Sequence, residues 1–220
     1  MDILNFISWL KKGKRFVTQV DPAKTLIPVG LKDDRRDDDY LAGAITVEDL
    51  ASQVGYQHYI GEEYGGGVIF HVYKDANGEE HGLVVSIEDQ STSSPYSNIS
   101  GLQIDSPSTW NGLENTNKIK AQPGATSGAW KDCDDYIHEG FSDWYLPAVD
   151  EFKLIYQNRF NVNKTLSSIL GASELLFNDY WTSTQQFGSA SNAFIYFGGT
   201  EIIDNASKNN TYYVRAIRQF

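Results

Sequence analysis

Apolar residues Ile3, Phe6, Ile7 and Leu10 recur at helical spacing, so residues 2–11 are expected to form a short amphipathic helix, stopped by Gly13. A helix this short is marginal alone and needs a partner to bury its stripe. RFVTQV (15–20) and TLIPVGL (25–31) read as short strands around a turn at Asp21-Pro22. The mixed-charge run KDDRRDDDY (32–40) reads as a solvated loop rather than a metal site. Thr46 and Asp49 resemble a capping box with Gly55 as the C′ residue, which predicts a helix over 46–54. Residues 56–64 then read as a linker into a new unit, because three glycines follow at 65–67.

From Gly65 the pattern changes. VIFHVY (68–73) and HGLVVSI (81–87) are strand-like, and Asn77-Gly78 between them is a strong hairpin signal. Residues 89–125 are rich in Ser, Asn, Gly and Pro and are expected to be irregular. Trp130, Cys133 or Asp134, and Ile137 fall at helical intervals, with Gly140 as a stop. Pro147 introduces a second helix with Phe152, Ile155 and Tyr156 on one face, and Asn163 to Leu170 suggests a third. YWTSTQ (180–185), NAFIYF (192–197) and YYVRAIRQF (212–220) read as antiparallel strands that must return to pair with the first hairpin. The expected class is α+β.

Charge sharpens the division. Residues 1–55 carry eight Lys/Arg and nine Asp/Glu, so nearly all of the net charge of −11 belongs to the remainder. That remainder offers no bulk attraction to nucleic acid or to an anionic membrane. No apolar run approaches the roughly 20 residues of a membrane helix, so no membrane insertion is expected. The order of apolar residues and lysines at the start is wrong for a secretory signal. With Cys133 as the single cysteine, an intramolecular disulfide is excluded.

The ordered blocks GGGVIFHVY, HGLVVS, EDQS, a Trp followed by ENTNKI, SDWYLPAVDEFKLIY, YWTST and VRAIRQF together resemble the Lcl C-terminal domain family over residues 65–220. That family is common in Bacteroidetes and phage proteins, and is similar to the C-type-lectin-like folds of the formylglycine-generating-enzyme superfamily. The resemblance implies a lectin-like domain in which Trp144 and Trp181 pack under the loops. Arg215 and Arg218 would pair with carboxylates such as Asp143 or Asp150. One departure is Ala148, where the family has a capping Ser or Thr, so this helix end needs a cap from elsewhere or is weaker by about 1 kcal/mol. DPAKTLIPVGLKDDRRDDDYLAGAITVEDL is similar to N-terminal segments of tailed-phage structural proteins. Residues 1–55 would therefore anchor the chain to other virion proteins. Ile3, Phe6, Ile7 and Leu10 would associate with further copies, a trimer being the favoured assembly. The chain would be made in a bacterial host cytoplasm and reside in the virion.

Catalytic patterns are not recognisable. His58, His71, His81 and His138 are scattered, and there is no HExxH, GxSxG, Walker A or post-strand GxGxxG. One cysteine cannot supply the pair used by formylglycine-generating enzymes. Asp150-Glu151 reads as an acidic helix start favoured by the dipole. Asp132, Asp134 and Asp135 read as a solvated face, so neither calcium nor any other cofactor is predicted. Three functions follow: a fibre, tail-tip or head-decoration protein that binds a host surface glycan, a purely structural decoration protein, or a bacterial surface adhesin. Ligand contacts are expected on loops of the final strands. They are Gln185, Gln186, Phe187 and Asn192 in one loop, and Asn205, Lys208, Asn209 and Asn210 in the other. Tyr196 joins them as a second aromatic able to stack on a sugar.

Overall fold

The chain divides between Gln57 and His58 into two units, and the computed structural model describes residues 26–32, 40–46 and 55–220. In the first unit, β1 (Leu26–Lys32) pairs antiparallel with β2 (Tyr40–Thr46), from Leu26 opposite Thr46 to Lys32 opposite Tyr40. The strand expected at 25–31 is thus present. β2 is an addition, whose centre, Ala42-Gly43-Ala44, carries little strand propensity of its own. Thr46 closes that strand. The expected helices at 2–11 and 46–54, the strand at 15–20 and the charged run at 33–39 otherwise lie outside the described residues.

The second unit is α+β. Residues 58–64, expected as linker, belong to it. Gly61 N donates to Ile69 O, Ile69 N to Glu62 O, and His58 N to Glu80 Oε1. β3 (Glu63–Tyr64) thereby becomes an edge strand on β4 (Gly67–Lys74). β4 and β5 (Glu80–Ser86) form the anticipated hairpin. Gly78 takes a positive φ at its turn, and Asp75 Oδ1 accepts from the Asn77 and Glu79 amides. The chain closes only partly as expected, because the run 212–220 is split. β11 (Ile217–Gln219) returns to pair with β5 and completes the sheet order β11-β5-β4-β3, while Thr211–Val214 joins another sheet, parallel to the strand Asp179–Gln185 rather than antiparallel.

A second sheet runs β6-β10-β7-β8-β9, from β6 (Ser91–Pro95), β7 (Asp179–Gln185), β8 (Asn192–Phe197), β9 (Ile202–Ser207) and β10 (Thr211–Val214). Four helices lie between the hairpin and β7: α1 (Gly112–Lys120), α2 (Ala129–Asp134), α3 (Val149–Gln157) and α4 (Arg159–Leu166). The continuous apolar run at the start of β4 reflects burial on both faces. Ile69 joins a cluster with Trp130, Trp144, Leu146, Trp181 and Ile195, while Val68 and Phe70 join one with Phe152, Ile155, Tyr180 and Tyr196. Trp144 and Trp181 are core residues, as read. Among the described residues no helix is long and apolar enough to cross a membrane.

Several local readings change. The stretch 89–125 is not wholly irregular, for it holds β6 and α1. α1 escapes a periodicity search because its buried face is polar: Asn115 Nδ2 donates to Ser108 O, and Thr116 Oγ1 donates to Leu146 O. Asn111 caps it through Glu114 N. α2 ends at Asp134, so Ile137 is left exposed. Beyond it His138 and Phe141 bridge across Glu139 and Gly140, both at positive φ, as a two-residue hairpin requires. α4 starts at Arg159, four residues before the expected Asn163. The missing side-chain cap at Ala148 is replaced partly within the helix and partly from a distance: Ala148 N donates to Glu151 Oε2 in the first turn, Val149 N to Thr184 Oγ1, and Asp150 N to Thr109 O. Arg218 pairs with Asp143 as foreseen, but Arg215 pairs with Asp89 instead of Asp143 or Asp150.

Candidate functional site

β7 and β8 are joined by residues 186–191, and β9 and β10 by residues 208–210. The structure brings these two loops to the same end of the sheet. Lys208 N donates to Ser191 O at 2.8 Å, and β8–β9 pairing sets Asn192 opposite Ser207. Phe187 stands at the tip, 87% exposed, next to Gly188 at positive φ. Behind it the amides form a short relay. Asn192 Nδ2 donates to Gln186 Oε1 and to Asn205 Oδ1, each at 3.2 Å. Asn209 and Asn210 are exposed in the adjoining turn. Six of the nine residues singled out from sequence are therefore accessible together at this end: Gln186, Phe187, Asn192, Asn205, Asn209 and Asn210.

The other three are interior. Gln185 is a strut: its Oε1 accepts from Ile104 N, and its Nε2 donates to Ser189 O and Leu102 O. Lys208 is buried, with Nζ donating to Leu102 O at 2.9 Å and lying 5.4 Å from the Tyr96 ring centre. Burial brings the Lys208 ammonium down to about 8. Tyr196 packs its ring 4.5 Å from Tyr156 and 5.4 Å from Phe152, and so cannot stack on a ligand. Residues 205–207, read as loop, belong to β9. Gln185 and Lys208 support the site by fastening the 102–106 segment beneath it, which is a positioning role.

Of the three carboxylates read as a solvated face, Asp132 departs from that reading: it is half-buried, its Oδ2 is enclosed without a hydrogen-bond partner, and burial holds its carboxyl above the usual range. Asp134 pairs with Lys120 at 2.7 Å, and Asp135 pairs with Lys131. At the β4–β5 turn, Asp75, Glu79 and His81 place ligand atoms within 4.8 Å of one another. Asp75 is already committed there to the Asn77 and Glu79 amides, and the latter chiefly hold its carboxyl below the usual range. Glu151 is buried at the start of α3, and burial pushes its carboxyl up to about 7 despite donors at Ala148 N, Tyr145 Oη and Gly112 N. With all of its contacts inside the protein, Glu151 acts as a cap.

The opposite end of β7 carries a second surface that sequence reasoning missed. Phe177, two residues before the strand, is exposed, and the Arg159 guanidinium lies over its ring at 4.1 Å and 5.3 Å from that of Tyr156. Beside it is a hollow of about 620 Å³ bordered by α4. The signal was the exposed aromatic pair Phe160 and Phe177. It was hidden because the third helix was placed from Asn163, four residues after the observed start at Arg159. Trp110, 71% exposed beside the α1 cap, is another exposed aromatic. No protein-family model matches this chain, and no curated protein matches it.

Proposed function

We propose that the second unit is a C-type-lectin-like domain of the Lcl C-terminal kind, and that it binds a host surface glycan on behalf of a phage virion. Residues 1–55 would serve as the anchor to other virion proteins and to further copies of the chain. The division between Gln57 and His58 supports a two-module reading of anchor and display. The observation that carries the binding role is Phe187, held in solvent at the end of a well-braced sheet among five amide side chains. An aromatic face covers the C–H side of a sugar ring, while amides donate and accept to neighbouring hydroxyls. Loops on a rigid scaffold are where such chemistry varies at least cost to the core.

The test is Phe187→Ala combined with Asn209→Ala in the full chain, measured on a glycan array and by adsorption to host cells. Both side chains are exposed, so the melting temperature should stay within a degree or two of wild type, a change of roughly 0.5 kcal/mol or less. Binding should be lost. Wild-type binding by the double variant would refute the site. Absence of any glycan or cell binding by the wild-type chain would instead favour a decoration protein that only stabilises the particle.

A further inference from the structure

We infer that the hollow beside α4 is a recognition site for the carboxylate of an acidic sugar, with Arg159 as its central contact. The Arg159 side chain makes no hydrogen bond or ion pair among the described residues, and its Nη1 is enclosed without a protein partner. A guanidinium stacked on Phe177 has its face occupied and its in-plane N–H groups left over. That edge is the geometry that grips a carboxylate in two parallel hydrogen bonds. Arg159 as a whole is only half-buried, so although Nη1 is enclosed, the rest of its edge can meet an acceptor from outside the fold.

The walls around it are already fixed. Asn163 spends both ends of its amide on Leu175, accepting from its N at 2.9 Å and donating to its O at 3.0 Å. Tyr156 Oη donates to Leu176 O, which holds the backbone next to Phe177. Gly198 makes that approach feasible, since a Cβ there would meet the Tyr156 hydroxyl and the Asn178 carbonyl. The groups not used by this framework face a ligand's needs. Lys164 and Arg159 supply positive charge, while Glu174 and the Ser167 hydroxyl offer acceptors for sugar hydroxyls. Phe160, 78% exposed on the same rim, gives an apolar platform. A plain anion would use the cations and leave Glu174 and Phe160 idle, and a neutral sugar would give Arg159 single hydroxyl acceptors without the paired, charged oxygens that match its fork. A uronic or sialic acid unit uses all of them. At about 620 Å³ the hollow lies within the usual range for small-ligand sites.

This site lies at the other end of β7 from Phe187, about 20 Å along the strand, so the two can be tested apart. Full-length protein would be titrated with galacturonate, N-acetylneuraminate, galactose and acetate, followed by NMR. At least one acidic sugar should bind more tightly than galactose and acetate by about tenfold, a difference of about 1.4 kcal/mol. Arg159→Lys keeps charge but loses the fork, and should weaken that binding by about fivefold or more. Arg159→Ala should weaken it further, while Phe187→Ala should leave it unchanged. Should Arg159→Ala fail to fold, Arg159→Lys decides the matter. Equal binding of acidic sugar and galactose, acetate binding as tightly as the sugars, or full affinity in Arg159→Lys would each overturn the inference.

Discussion

Substituting Glu151 separates two roles that a buried carboxyl plays at once, as a hydrogen-bond hub and as a titrating group. In the folded chain it receives Gly112 N at 3.1 Å, Ala148 N at 2.7 Å and Tyr145 Oη at 3.1 Å, and it is 4% exposed. Glu151→Ala orphans three buried donors, each worth about 1–3 kcal/mol, so a loss of roughly 3 kcal/mol or more is expected at low pH, where wild-type Glu151 holds its proton. Glu151→Gln keeps an acceptor for the two amides and presents an NH2 group to the tyrosine hydroxyl. It should cost about 1 kcal/mol or less where wild-type Glu151 is protonated.

The pH dependence follows from the raised carboxyl, which moves from 4.5 to about 7 mainly through burial. A raised folded value means that the folded state holds the proton more tightly than the unfolded chain. The associated stability is fully present below pH 4.5 and is lost as pH rises through 7. The shift corresponds to about 3 kcal/mol as an order of magnitude. Urea titrations from pH 4.5 to 8, followed by tryptophan fluorescence, should show wild type losing stability relative to Glu151→Gln by that order. At pH 8 the glutamine variant should be the more stable. A difference that stays flat with pH, or a glutamine variant as unstable as the alanine one, would refute the reasoning.

Lys208 gives the opposite sign. Its folded value is lowered to about 8 from 10.5 by burial, so stability should rise with pH between those values. Lys208→Met should abolish that rise in denaturation midpoints measured at pH 7.5, 9 and 10.5. Arg215 is fully buried and donates to Asp89 Oδ1 and to both Ser173 Oγ and Ser173 O. Arg215→Met strands the Asp89 carboxylate, at a cost of about 3–5 kcal/mol. Adding Asp89→Asn should recover part of that loss in a double-mutant cycle.

The elements legible in the chain are those whose own residues bury an apolar stripe or dictate a turn. Asn77-Gly78 placed the β4–β5 hairpin; Pro147 with Phe152, Ile155 and Tyr156 placed α3; the runs at 180–185 and 192–197 placed β7 and β8. The Phe187 loop could be named because an aromatic among amides, between two strands, has nothing nearby to pack on. Tertiary structure alone decided the rest, and the reason is range. α1 is held by Asn115 reaching Ser183 across 68 positions, and Lys208 is buried by a bond to Leu102 across 106. A polar side chain whose partner lies that far away is indistinguishable, in sequence, from one that faces water. Gln185 and Lys208 were therefore read as surface groups, and residues 58–64 as a tether. The guanidinium of Arg159 came to light for the same reason in reverse: only the folded chain shows which charged group was left without a partner.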